Sequence, residues 1–252
     1  MIGAVVSART TRRRVPTVIV GAIATAWSVA IVADLTGSAD LFHHDSLLES
    51  SLPLARAIGL FVVVWQLMIA AMMLPSSLPL IRLFGTVAVK QDRPAAAMGA
   101  LLCGYATVWM LFGLAAFVLD AIVHLTVHRV PWLEARPNVI AGSVLILAGA
   151  FQFSELKDRC LSECRHPGPF LMSRYARGIG AAFELGIAHG RFCVGCCWAL
   201  MLVGFASGVA NLWWMAALTA VMVYEKTARR GSEAVAPIGV GLLVAGFLTM
   251  LR

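Results

Sequence analysis

Apolar residues in this chain run in long stretches rather than alternating with polar ones. Seven segments stand out: about 17–35 (TVIVGAIATAWSVAIVADL), 55–74 (ending WQLMIAAMML), 95–119, 138–153, 193–210, 212–225 and 235–251. The third carries no charge. A shorter helix is expected before the fifth, over about 174–190. Crossing a bilayer takes about 20 mostly apolar residues. The pattern therefore predicts an all-α, polytopic transmembrane helical bundle of about seven spans. It forms a single integral membrane domain over 1–252, with a cytoplasmic helical segment, 154–192, between spans four and five. The tight GVAN linker predicts a hairpin of spans five and six. No internal repeat is visible.

Composition supports the same class. Of 252 residues, 60% are hydrophobic and 13% charged, with mean hydropathy +0.84. Soluble domains carry roughly 25% charged residues. The basic start, RTTRRRVP, leads into an apolar run long enough to span, with no small-residue cleavage site. It reads as a first span rather than a cleavable signal.

Charge then orients the bundle. All Lys and Arg except Arg56, Arg129, Arg136 and Arg252 fall within 1–16, 80–94, 154–192 and 225–233. Basic residues collect in cytoplasmic loops. The expected topology places the N-terminus (1–16) in the cytoplasm and the C-terminus outside, in a bacterial inner (plasma) membrane. The first outer loop is acidic, with Asp34, Asp40, Asp45 and Glu49. The net charge of +7 then needs no anionic partner. No basic stripe interleaves with aromatics, so nucleic acid is excluded as a partner. No phosphate-binding G-x-x-x-x-G-K-[ST] loop is present, so an ATP-driven step would need another chain.

On this map the reactive side chains gather at the inner face. MIAAMMLPSS ends span two, QFSELKDRCLSECRHP leaves span four, HGRFCVGCCW enters span five and VYEK closes span six. Residues four apart share a helix face. His189, Cys193, Cys197 and Met201 form one such row, with Cys196 beside it; Cys160 pairs with Cys164, and Met68 with Met72. Pro75 and Pro79 are expected to break or bend their helix. Thiolate and imidazole suit zinc and copper(I), and thioether sulfur suits copper(I). Structural disulfides are unusual in a reducing compartment. Candidate metal ligands are Cys160, Cys164, His189, Cys193, Cys196, Cys197, Glu225 and Met72.

Plainer readings stand beside these. Cys103, alone in mid-span, reads as a small packed hydrophobe. Met68, Met72, Met73 and Met201 also serve as core filling. Glu225 beside Lys226 also reads as an interfacial ion pair. Gln152 and Glu155 sit at a span end, where side chains snorkel to water. His43, His44, His124 and His128 face outside, and His124 and His128 are four apart.

The stretches AMMLP with Pro79, QFSELKDRCLSECRHP, HGRFCVGCCWALM, and NLWWM followed by Glu225–Lys226 resemble a bacterial family of predicted metal-binding integral membrane proteins of unknown function. The resemblance runs from about 65 to 226. It implies that Cys160, Cys164, His189, Cys193, Cys196, Cys197 and Glu225 belong to the family's signature set.

The leading expectation is transfer or transport of a transition metal, copper(I) or zinc, through a Cys/His/Met site at the cytoplasmic membrane face. A small soluble metal-carrying protein is an expected partner besides membrane lipid, and an oligomer is compatible with the sequence. A membrane thiol-disulfide oxidoreductase using Cys193/Cys196 and Cys160/Cys164 is the alternative. A metal-dependent membrane enzyme with Glu184 or Glu225 as proton carrier, and a zinc-braced structural subunit, complete the set.

Overall fold

The computed structural model describes residues 17–37, 54–206 and 211–251. His43, His44 and the side chain of His128 lie outside the described residues. Every regular element among these residues is helical: α1 (Thr17–Leu35), α2 (Leu54–Ala88), α3 (Pro94–Arg129), α4 (Pro131–Glu134), α5 (Pro137–Phe151), α6 (Glu155–Arg165), α7 (Pro167–Arg174), α8 (Ile179–Ala206), α9 (Leu212–Thr227), a 3-10 turn (Gly231–Ala234) and α10 (Val235–Met250).

Five helical stretches are long and apolar enough to cross a membrane: 17–35, 58–88, 94–127, 179–206 and 231–250. Seven were expected. The difference lies in α5 and α9, which have 15 and 16 residues and are shorter than an ordinary span. The chain bends by 66° between α5 and α6. The two together count as a sixth crossing only if that broken pair spans as a unit.

Two local expectations change. Pro75 and Pro79 do not end α2, which continues through both to Ala88. A proline removes one backbone donor, leaving the carbonyl four residues earlier without its helical partner. For Pro75 that carbonyl is Ala71 O, and it accepts the indole N–H of Trp27 at 3.0 Å. Nor is there a separate helix over 174–190: the chain runs unbroken as α8 from Ile179. Glu184 and Arg191 do not interrupt it because both side chains are exposed, while Gly186, His189 and Gly190 are buried on another face.

The core forms where α8 lies along α3. Small residues let the two backbones touch. A methyl group at Gly186 would overlap the Leu101 carbonyl, and one at Gly104 would overlap that of Phe183. Trp65 of α2 locks onto the same pair, donating from Nε1 to Trp109 O at 2.8 Å with its ring over Gly113. α5 and α10 pair separately, with Gly142 against Gly246. The outer surfaces of α3 and α10 are apolar, exposing Leu119, Ile122 and Leu125 on one and Val240, Val244 and Phe247 on the other.

α6 folds back against α8 and α9, and α7 packs on α2, with Phe170 against His189 and Phe192 of α8. Ser154 caps α6 by accepting the Lys157 amide at 3.2 Å, and Glu155 and Asp158 sit in its first turn, where acidic groups complement the helix dipole. At the other end Arg165 reaches the C-terminus of α9, donating to the backbone carbonyls of Glu225 and Arg229. Gly231 leaves the room Arg165 needs there.

Candidate metal centre

Sulfur converges where α6, α8, α9 and α2 meet. Cys160 and Cys164 come from α6, and Cys193, Cys196 and Cys197 from α8; all five are buried free thiols. The helical spacing read from the sequence operates as expected, since the α8 row His189, Cys193, Cys197, Met201 is buried throughout. The Cys164 and Cys196 sulfurs stand 3.9 Å apart across the α6/α8 junction. Cys160 packs against Gly195, where any side chain would collide with its sulfur.

The thiols are tied to the backbone and to one another's surroundings. Cys197 donates to Cys193 O at 2.8 Å, and Cys196 donates to the same carbonyl at 3.1 Å. Cys197 also lies 3.9 Å from the thioether sulfur of Met73. Met72 is fully buried in the same core, but the thioether placed against a thiol is that of Met73. Met68, Met201, Met215 and Met222 line the same core, so the surroundings are unusually rich in soft sulfur.

His189 connects to this cluster through two hydroxyls. Its Nε2 lies 3.1 Å from Ser77 Oγ, and Ser77 donates to the Tyr105 hydroxyl at 3.2 Å. The Tyr105 hydroxyl stands 3.1 Å from Cys193 Sγ. Tyr105 also stacks on the imidazole with centroids 5.4 Å apart.

Two lysines enter the cluster, neither of them among the candidate ligands legible in the sequence. Lys226 Nζ lies 3.1 Å from Cys193 Sγ, 3.6 Å from Cys197 Sγ and 3.3 Å from Ser76 Oγ. Lys157 Nζ donates to Glu225 Oε2 at 2.7 Å and to Cys196 O at 3.2 Å. Glu225 therefore pairs with Lys157, not with its neighbour Lys226, because adjacent helical residues point in different directions. Both lysines are buried, as is Glu225. The other oxygen of that carboxylate, Oε1, is buried with no hydrogen-bond partner.

On α6, burial raises the Cys160 thiol above its ordinary pKa, with Cys196 and Glu163 adding to the shift. Its neighbour Cys164 is raised further, first by its hydrogen bond to Cys196 and then by burial. Both therefore rest as thiols until a cation or an oxidant draws the proton away.

Among the described residues, no three His, Cys, Asp or Glu side chains are arranged to hold one ion. The donors nevertheless suit a soft monovalent cation: thiols next to a thioether, in a buried setting. Cys103 does not take part; it is exposed on α3 rather than packed in the interior. Of the side chains that the sequence did not single out, Lys157 had a legible signal. It shares a face of α6 with Cys160 and Cys164, at spacings of three and four. Tyr105 and Ser77 had none, since each reaches the cluster only through packing of distant helices.

No curated protein and no solved structure matches the chain. Residues 62–249 match the family PpoB2, described as copper chaperone, and that stretch contains all five clustered thiols, Met73, both lysines and Glu225. The chain belongs to the PpoB2 copper chaperone family.

Proposed function

We propose that the chain is a membrane-embedded copper(I) chaperone whose cargo is held by Cys193 and Cys197 of α8, with Met73 as an auxiliary soft donor. The observation that carries this reading is the meeting of four buried thiols from α6 and α8 with a thioether. Copper(I) is satisfied by few soft ligands, and thiolate and thioether select it. Zinc favours four ligands in a tetrahedron, and the described residues offer no group of three. The family match supports copper on independent grounds.

Cys164 and Cys196, adjoining the pair, serve as the transfer thiols. Cys160 and Cys164 lie on the short helix α6, so cargo enters or leaves from that side by ligand exchange. The outer apolar faces suit a bilayer. We place the protein in a bacterial inner membrane, with α6 and the N-terminus on the cytoplasmic side, where a small soluble copper-carrying protein meets it. His189 orients Tyr105 through Ser77 rather than binding the ion, and Glu225 keeps Lys157 charge-balanced.

The test is purification in detergent under anaerobic, reducing conditions, followed by copper(I) titration against a chromophoric competitor. One copper(I) per chain is expected, lost in Cys193→Ser and Cys197→Ser. Absence of copper(I) binding by the unaltered protein overturns the reading.

One observation favours a second reading, the 3.9 Å approach of Cys164 to Cys196. A thiol-disulfide oxidoreductase would use that pair rather than Cys193/Cys196, whose thiols do not face each other: Cys196 bonds the Cys193 carbonyl. Protein isolated without copper and carrying a 164–196 disulfide would favour it.

A further inference from the structure

We propose that Lys226 is the internal counter-ion of the cargo site, and that its single ammonium makes the site selective for a monovalent soft cation over zinc(II). The inference rests on the copper(I) reading above and names what sets its specificity.

The geometry is that of an ion pair waiting for completion. Lys226 Nζ is within 3.1 Å of Cys193 Sγ and 3.6 Å of Cys197 Sγ, and among the described residues its one oxygen partner is the neutral hydroxyl of Ser76. Among the described residues no carboxylate pairs with it: Glu225, the next residue, pairs with Lys157 at 2.7 Å. The two lysines thus differ. Lys157 and Glu225 are in direct contact and cancel each other, whereas among the described residues the ionisable groups in direct contact with Lys226 are the Cys193 and Cys197 sulfurs.

Charge counting follows. A buried charge without compensation is strongly destabilising, so a loaded site must come close to neutrality. Two thiolates around one monovalent cation leave one negative charge, which Lys226 cancels. The same thiolates around zinc(II) are already neutral, and the ammonium is stranded. Four thiolates around zinc(II) carry two negative charges, and the second lysine is committed to Glu225. Three thiolates around zinc(II) would also balance against Lys226, but among the described residues no three His, Cys, Asp or Glu side chains are arranged to hold one ion; with two thiolates, only the monovalent ion balances. Met73 adds a donor without charge, so it does not alter the count.

The experiment is competitive titration of the full-length protein in detergent, anaerobically, with copper(I), silver(I) and zinc(II). It compares the unaltered chain with Lys226→Gln, Lys226→Met and Lys226→Arg. Removing one partner of a buried charge pair lowers affinity by at least about tenfold. Lys226→Gln and Lys226→Met should therefore lose at least tenfold in copper(I) and silver(I) affinity, with zinc(II) affinity unchanged or raised. Lys226→Arg, which keeps the charge, should restore the preference. An unchanged ratio of copper(I) to zinc(II) affinity in folded Lys226→Gln or Lys226→Met overturns the inference while leaving the copper reading intact. If the unaltered chain binds no copper(I), both fall together.

A second measurement does not depend on those variants folding. Met73→Leu conserves volume and is tolerated in a packed core. Copper-edge X-ray absorption on the copper-loaded Met73→Leu protein should count two sulfur ligands. Three or more, with the third lost in Cys164→Ser or Cys196→Ser and therefore a thiolate, would leave negative charge that no cation balances, and would overturn the proposal.

Discussion

The ammonium of Lys157 sits 2.7 Å from Oε2 of Glu225, with both side chains almost completely buried, and joins α6 to α9 across 68 positions of sequence. Lys157 also bonds Cys196 O at 3.2 Å, so one side chain connects three helices at the edge of the thiol cluster. A buried pair adds little net stability relative to apolar residues, but losing one partner strands a charge. The pair thus fixes how α6 meets α8 and α9, and with it the position of Cys164.

Lys157→Met or Glu225→Gln alone should destabilise the protein by about 3–5 kcal/mol. The double variant Lys157→Met/Glu225→Met should recover most of that loss, because no charge is left unpaired. Chemical denaturation in detergent micelles measures all three. Equal destabilisation of the double and single variants would mean that the pair is not what holds the junction.

Gly186→Ala should destabilise the bundle by about 1–3 kcal/mol, as overpacking does. Its new methyl group would overlap the Leu101 carbonyl, which belongs to backbone and cannot rotate away. A control at Gly180, where an added methyl meets nothing, should be neutral within about 0.5 kcal/mol. Thermal melts of the two variants in the same detergent decide the matter.

Copper(I) affinity should fall as pH falls. Thiols must lose their protons to bind, so protons compete with the cargo. Below the pKa of the thiols, each one that binds costs about tenfold in affinity per pH unit. Cys197 must shed a proton to bind, while the Lys226 ammonium 3.1 Å from Cys193 favours that group's thiolate, so the drop should be about tenfold per unit near pH 7.5 and steeper toward pH 5.5, read from competition titrations over that range. A flat profile would exclude ligation by thiols that are protonated in the metal-free protein.

A disulfide reagent should cross-link Cys164 to Cys196 before any other pair. Their sulfurs are 3.9 Å apart, and Cys164 lies at the outer edge of the cluster. The reaction is exchange: the two thiols are oxidised to one disulfide and the reagent is reduced to two thiols. Peptide mapping by mass spectrometry should find a 164–196 bridge, suppressed when copper(I) is bound first. A 193–196 bridge as the main product would contradict the observed orientation of Cys196.

Much of the bundle could be read from the chain. The apolar runs located α1, α3, α5, α9 and α10 to within a few residues, except at the C-terminal end of α3, because an unbroken hydrophobic stretch needs a helix to satisfy its backbone in apolar surroundings. The boundaries that differed, at α2 and α8, turn on single tertiary contacts. Trp27 repairs the gap that Pro75 opens. The glycines against α3 allow α8 to begin well before its apolar half.

At the candidate site the sequence determined which sulfurs share a helix face, because helical period alone places Cys193 with Cys197 and Cys160 with Cys164. It also determined that copper or zinc chemistry was within reach, because those atoms are soft donors. Only the tertiary structure decided that Met73 meets Cys197, that Glu225 turns to Lys157, and that Lys226 faces the thiols. Those outcomes depend on the rotation and spacing of helices far apart in the chain. The rotation and spacing are set by close packing of large and small side chains, which no local pattern encodes.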